Sequence, residues 1–185
     1  MSNRSSSRLQ SGKIAFCGLI AALSVAIMLT GGLIPVATYC APMIAGVLLL
    51  PLLLEFGRKA AWTAYGTVAL ITLFLGIDKE AAFFYLFLGY YPIVKWDIDR
   101  IKSNPVRLCA KLGIFNISVL AMYAILGLLL HMNVVVEEFT EMGTVLLVVF
   151  VVLMNLCMLL YDKLLGPLTV IYVKKLRPKL RFLRR

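Results

Sequence analysis

Charge is scarce in this chain. Only 15% of its 185 residues are Asp, Glu, Lys or Arg, and 62% are hydrophobic, whereas soluble domains carry about a quarter charged residues. Water does not solvate so apolar a surface, so the shortage excludes an ordinary soluble domain and calls for lipid. Histidine is reduced to one residue, His131, and the four cysteines, Cys17, Cys40, Cys109 and Cys157, include no CxxC pair. A Cys-based metal site therefore lacks the spacing it needs, an intrachain disulfide is not expected because only Cys40 falls at the outward end of a span, and the cysteines read as small apolar packing residues. No HExxH, GxSxG, Walker or GxGxxG pattern occurs. Neither catalytic residues nor a cofactor are expected, and ATP-driven work would need partner chains.

Acidic residues are rarer still, nine against nineteen basic ones, for a net charge of +10. The basic residues stand at the ends of apolar runs and in the C-terminal tail, with no aromatic-interleaved basic surface, which argues against nucleic acid and for anionic lipids.

The apolar runs number six: 14–35, 41–54, 60–77, 81–94, 108–130 and 142–161. A helix crossing the hydrocarbon core needs about 20 apolar residues, fewer where protein shields its ends. The polar start resembles a signal peptide, but no small-x-small cleavage site follows and Tyr39 spoils a lipobox. The segment is therefore expected to remain as the first helix. The stretch 164–173, interrupted by Gly166 and Pro167, reads as a membrane-surface segment.

With six spans and a cytoplasmic start, eighteen basic residues lie inside and Lys79 alone lies outside. This asymmetry is what sets orientation. The expected organisation is an all-α six-transmembrane-helix bundle with both termini cytoplasmic. It comprises a basic N-terminus (1–13), a transmembrane domain (14–161) and a basic tail on the membrane surface (162–185).

Gly18, Ala22 and Ala26 recur every fourth residue on the first span. Small residues at this spacing let a second helix backbone approach closely, either within the bundle or from a partner chain. The first span, with its basic start and the run from Leu19 to Ala26, resembles the S components of energy-coupling factor transporters. In that family an Ala-x-x-x-Ala face docks the T subunit and two cytoplasmic ATPases drive uptake. The resemblance implies a substrate-binding subunit for a vitamin-sized solute in a bacterial cell membrane, with Gly18, Ala22 and Ala26 as the partner-docking residues. The stretch from Phe87 to Lys95 also resembles small membrane proteins of Gram-positive bacteria placed near that family. The alternatives are a membrane scaffold or regulatory protein of similar architecture, and a stand-alone carrier or lipid-handling protein.

Polar residues set at depth need partners. Asn116 and Asn155 lie at similar depth on the fifth and sixth spans, where their amides are expected to pair. Glu55 is expected to pair locally with Arg58 or Lys59, and Asp97, Asp99 and Arg100 to be solvated loop charges. A small-molecule site belongs at the outer end, where Thr38, Tyr39, Asp78, Tyr85, His131, Asn133 and Glu137 gather as candidate ligand-binding residues. The competing reading makes the tyrosines interfacial anchors and the acidic residues ordinary outer-loop charges.

Overall fold

The computed structural model describes residues 2–34, 37–75, 78–128 and 143–178, all but the turns between them helical and with no strand among them. The helices are α1 (Ser2–Gly31), α2 (Ala37–Val47), α3 (Leu49–Phe56), α4 (Arg58–Leu75), α5 (Lys79–Leu88), α6 (Tyr91–Ile98), α7 (Asn104–Leu128) and α8 (Thr144–Ile171). Helix suits such apolar segments, because it satisfies each backbone N–H and C=O within its own segment, as a crossing of lipid would require. The stretches Gln10–Gly31, Ala37–Phe56, Asn104–Gly127 and Thr144–Leu176 are long and apolar enough to cross a membrane.

Prolines set the breaks. Pro51 has no N–H to give to the carbonyl of Val47, and the second span divides there into α2 and α3. Pro92 likewise cannot bond to Leu88. The fourth run, expected to be one helix over 81–94, is instead α5 and α6 joined at Gly89 and Tyr90. There Gly89 N–H donates to the Tyr85 carbonyl at 2.7 Å and Ile93 N–H to that of Tyr90 at 2.9 Å. Pro105 falls in the first turn of α7, where no backbone partner is lost. The fifth helix therefore starts at Asn104 rather than Leu108. Gly57 makes the sharp turn from α3 to α4 at a φ of 80°, a backbone state that disfavours side chains.

The last helix differs most from expectation. It does not stop at Tyr161 but runs through Asp162, Lys163 and Pro167 to Ile171, then closes in a π-helical turn over Tyr172–Leu176. The stretch 164–173 thus continues this helix instead of forming a separate surface segment.

The chain divides into two compact units, Met1–Ile93 with Leu164–Arg185, and Val94–Lys163. In the first, α1 packs against α2 and α4, α2 against α5, and α3 against α4. One core cluster joins Met28, Ala41, Ala45, Val68, Ala69, Ala81 and Tyr85. A second joins Ile20, Leu49, Leu52, Ala61, Ala64 and Ile93. Small residues bring the backbones close. At Gly31 a Cβ would come within 2.3 Å of the Ala41 Cβ, so α1 meets α2 there only because the side chain is absent. Core threonines bond back to their own helix, as Thr72 does to the Val68 carbonyl at 2.8 Å, which hides the hydroxyl from apolar surroundings. In the second unit α7 and α8 expose rows of apolar side chains, among them Ile117, Leu120, Val145, Val152 and Leu156.

Candidate functional site

The proposed ligand residues divide. Thr38 and Tyr39 lie in the first turn of α2, and Asp78 is the N-cap of α5. Thr38 Oγ1 donates to Asp78 Oδ2 at 2.7 Å, and Tyr39 Oη donates to Glu80 Oε1 at 2.7 Å. Asp78 Oδ1 accepts from the Ala81 N–H at 3.0 Å, capping α5. Lys79 turns back to donate to the Leu73 carbonyl at 2.9 Å. These residues do gather, but their polar atoms are engaged with one another.

Tyr85 does not join them. It is fully buried in the first core cluster, its ring 5.6 Å from that of Tyr65, and its hydroxyl has no hydrogen-bond partner among the described residues. Phe84, the residue before it, supplies the ring against Tyr39, 5.3 Å away. His131, Asn133 and Glu137, with Glu138 and Glu141, lie outside the described residues.

The docking stripe has a definite placement. On α1, Ile20, Ser24 and Met28 are buried, at a spacing of four that keeps them on one face. Gly18, Ala22 and Ala26 are exposed, beside the exposed Leu19 and Leu23. A Cβ built on Gly18 meets nothing within 4 Å. The small stripe is not the face by which α1 packs in its own unit.

A third arrangement was not foreseen. Lys95 on α6, Asp99 in the turn after it, Lys111 on α7 and Asp162 on α8 form a closed ring of alternating charge. Lys95 Nζ lies 2.8 Å from Asp99 Oδ2 and 2.6 Å from Asp162 Oδ1. Lys111 Nζ lies 2.5 Å from Asp99 Oδ1 and 2.6 Å from Asp162 Oδ2. Each carboxylate oxygen takes one ammonium, and the four charges sum to zero. Both lysines are 6% exposed, so their ammonium groups are withdrawn from bulk solvent. Burial alone would raise the Asp99 pKa, but hydrogen bonds from Lys111 and Lys95 outweigh it and hold the carboxyl below its ordinary range.

The expectation that Asp99 is a solvated loop charge is therefore overturned; Asp97 and Arg100, 3.8 Å apart, do sit at the surface. The readable signal was the Lys95–Asp99 spacing of four, together with a lysine and an aspartate of opposite sign at the edges of two apolar runs. Higher on the same helices, Asn116 Nδ2 donates to Asn155 Oδ1 at 2.8 Å and Asn155 Nδ2 returns a bond at 3.3 Å, the amide pair expected from their depths.

Glu55 also corrects its expectation. Its side chain is 5% exposed, and Oε1 lies 2.9 Å from Arg177 Nε, not against Arg58 or Lys59. An ion pair 122 positions apart in sequence fastens the end of α3 to the turn that follows α8.

The chain matches no family model, no curated protein and no solved structure.

Proposed function

We propose that this chain is a substrate-binding membrane subunit of an ATP-driven micronutrient uptake transporter, similar to the S components of energy-coupling factor systems. It would cross a bacterial cell membrane six times with both termini in the cytoplasm. The observation that carries the reading is the division of α1 into a packed face and a bare one. Ile20, Ser24 and Met28 bind the helix to its unit, while Gly18, Ala22 and Ala26 stay open. A helix that needs close backbone approach would seat on that open face, as the T subunit does in the resembling family, with two cytoplasmic ATPases supplying the energy.

The six-span count adds α4 and the α5–α6 pair to the four long helices. The 18 residues of α4 reach ~27 Å at 1.5 Å per residue, close to the ~30 Å hydrocarbon core. The eighteen-to-one placement of basic residues supports the orientation. The substrate would enter at the Thr38, Tyr39 and Asp78 end, exchanging its own polar groups for the Thr38–Asp78 and Tyr39–Glu80 hydrogen bonds.

One observation favours a second reading. Those hydrogen bonds leave the polar end of α2 and α5 closed on itself, as suits a scaffold or regulatory protein that binds no solute. Gentle purification of the tagged chain from its native membrane separates the two. Recovery of a T-type membrane subunit with two ATPases, and of a retained small molecule by mass spectrometry, is the expected result. Recovery of wall-synthesis or cytoskeletal partners without a solute would overturn the transporter reading.

A further inference from the structure

The groove between α1 and α4 offers an interaction surface that shares only Gly18 with the open stripe of α1. Lys13, Ile14, Cys17, Gly18 and Ala21 line it from α1, and Lys59, Ala60, Thr63, Ala64 and Thr67 from α4, around a volume of about 480 Å³. The two sets step in phase, three and four residues apart, so the groove follows both helices for ~12 Å at 1.5 Å per residue. It exists because the facing side chains are small.

Its walls are apolar in spite of the threonines. Thr63 Oγ1 donates to the Lys59 carbonyl at 2.8 Å and Thr67 Oγ1 to that of Thr63 at 2.9 Å, so both hydroxyls are engaged within their own helix. Polarity returns only at one end, with Lys13 and Lys59. Lys13 Nζ is held 5.5 Å over the Phe56 ring, and among the described residues no carboxylate pairs with either lysine. Both lysines stand where an apolar helix begins, the level of lipid headgroups.

We infer that this groove seats one anionic glycerophospholipid, its phosphate between Lys13 and Lys59 and an acyl chain along Gly18, Ala21, Ala60 and Ala64. Charge complementarity selects the occupant. A partner helix would fill the apolar walls but leave two cations without a counter-charge, whereas an anionic lipid satisfies walls and end together. The inference requires membrane residence but not the transporter reading.

Native mass spectrometry of the full detergent-solubilised chain, offered phosphatidylglycerol and phosphatidylcholine in equal amounts, tests it. The wild type should retain one phosphatidylglycerol in preference. Lys13→Ala and Lys59→Ala should each weaken that preference about fivefold, the factor for a single lysine near an acidic surface. Lys174→Ala with Lys175→Ala should leave it unchanged. Gly18→Leu, which keeps both charges and fills the walls, should reduce retention of either lipid. Equal retention of the two lipids by the wild type, or a preference untouched by Lys13→Ala combined with Lys59→Ala, would overturn the assignment. So would ready disulfide-linked dimers through Cys17 in membranes, which would give the groove to a second copy.

Discussion

Asp78 and Asp162 each engage both carboxylate oxygens, but with different kinds of donor. Asp78 accepts from the Thr38 hydroxyl and the Ala81 N–H, both neutral. Asp162 accepts from the ammonium groups of Lys95 and Lys111, which share Asp99 as a second counter-charge. Removing Asp78 strands a hydroxyl and an amide, whereas removing Asp162 strands a whole charge out of water. The first cluster is a cap with a tether. The ring is an electrostatic joint that tolerates change only in pairs, and it joins α6, α7 and α8 within one unit.

The largest expected effect is therefore at the ring. Asp162→Asn leaves two lysines with one carboxylate and should cost about 3 kcal/mol, at the low end for a broken buried pair because the Asp99 side chain is 29% exposed. Lys111→Met combined with Asp162→Leu keeps one cation and one anion and should recover most of the loss. Thermal unfolding in detergent measures both. A single variant as stable as wild type would show the ring to be solvated.

Next comes Asp78→Ala, which removes a helix cap and a side-chain hydrogen bond and should cost about 2 kcal/mol in the ligand-free protein. If the cluster serves only a ligand, the same variant would keep its melting temperature and lose only a ligand-induced rise.

A smaller effect concerns pH. The Asp99 carboxyl is held below its ordinary range, so its contribution is present above the unfolded pKa of ~3.9. It is lost as pH falls through the lower folded value. Melting temperature should be flat with respect to Asp99 from neutral down to about pH 5 and fall below pH 4. Asp99→Asn should be less stable at neutral pH and show a shallower acid fall. An equal fall in both proteins would remove Asp99 from the acid response.

The smallest effect belongs to Asn116→Leu, at about 0.6 kcal/mol, the average for polar contacts between membrane helices. Asn155 keeps its bond to the Val151 carbonyl, 2.8 Å away, when its partner goes. A loss several times larger would mean that the amide pair, and not apolar packing, fixes α7 against α8.

Helix positions were legible because they follow from continuous apolar runs, and the Asn116–Asn155 pair because equal depth on neighbouring helices brings amides together. Pairings between distant residues were not. Lys95 meets a carboxylate 67 positions on, and Glu55 an arginine 122 positions on; local spacing favoured Arg58 and Lys59 for Glu55. The same blindness fixed the wrong end of α8. Asp162 and Lys163 resemble a helix stop while they count as loop charges, but Asp162 is neutralised by two lysines and the helix runs on through Pro167 to Ile171. Tyr85 misled in the opposite sense, since a tyrosine one turn from a loop reads as a site residue, yet its ring fills the core.

The open face of α1 decides the transporter reading, and Ala22→Trp with Ala26→Trp tests it most directly. Both alanines are exposed, so the larger rings should meet lipid or detergent, and the isolated protein should keep the wild-type melting temperature while losing co-purification of the proposed T-type subunit. If the stripe instead packs within the bundle, tryptophan overpacks it at a cost of about 1–3 kcal/mol. A clear fall in melting temperature with assembly intact would contradict the account.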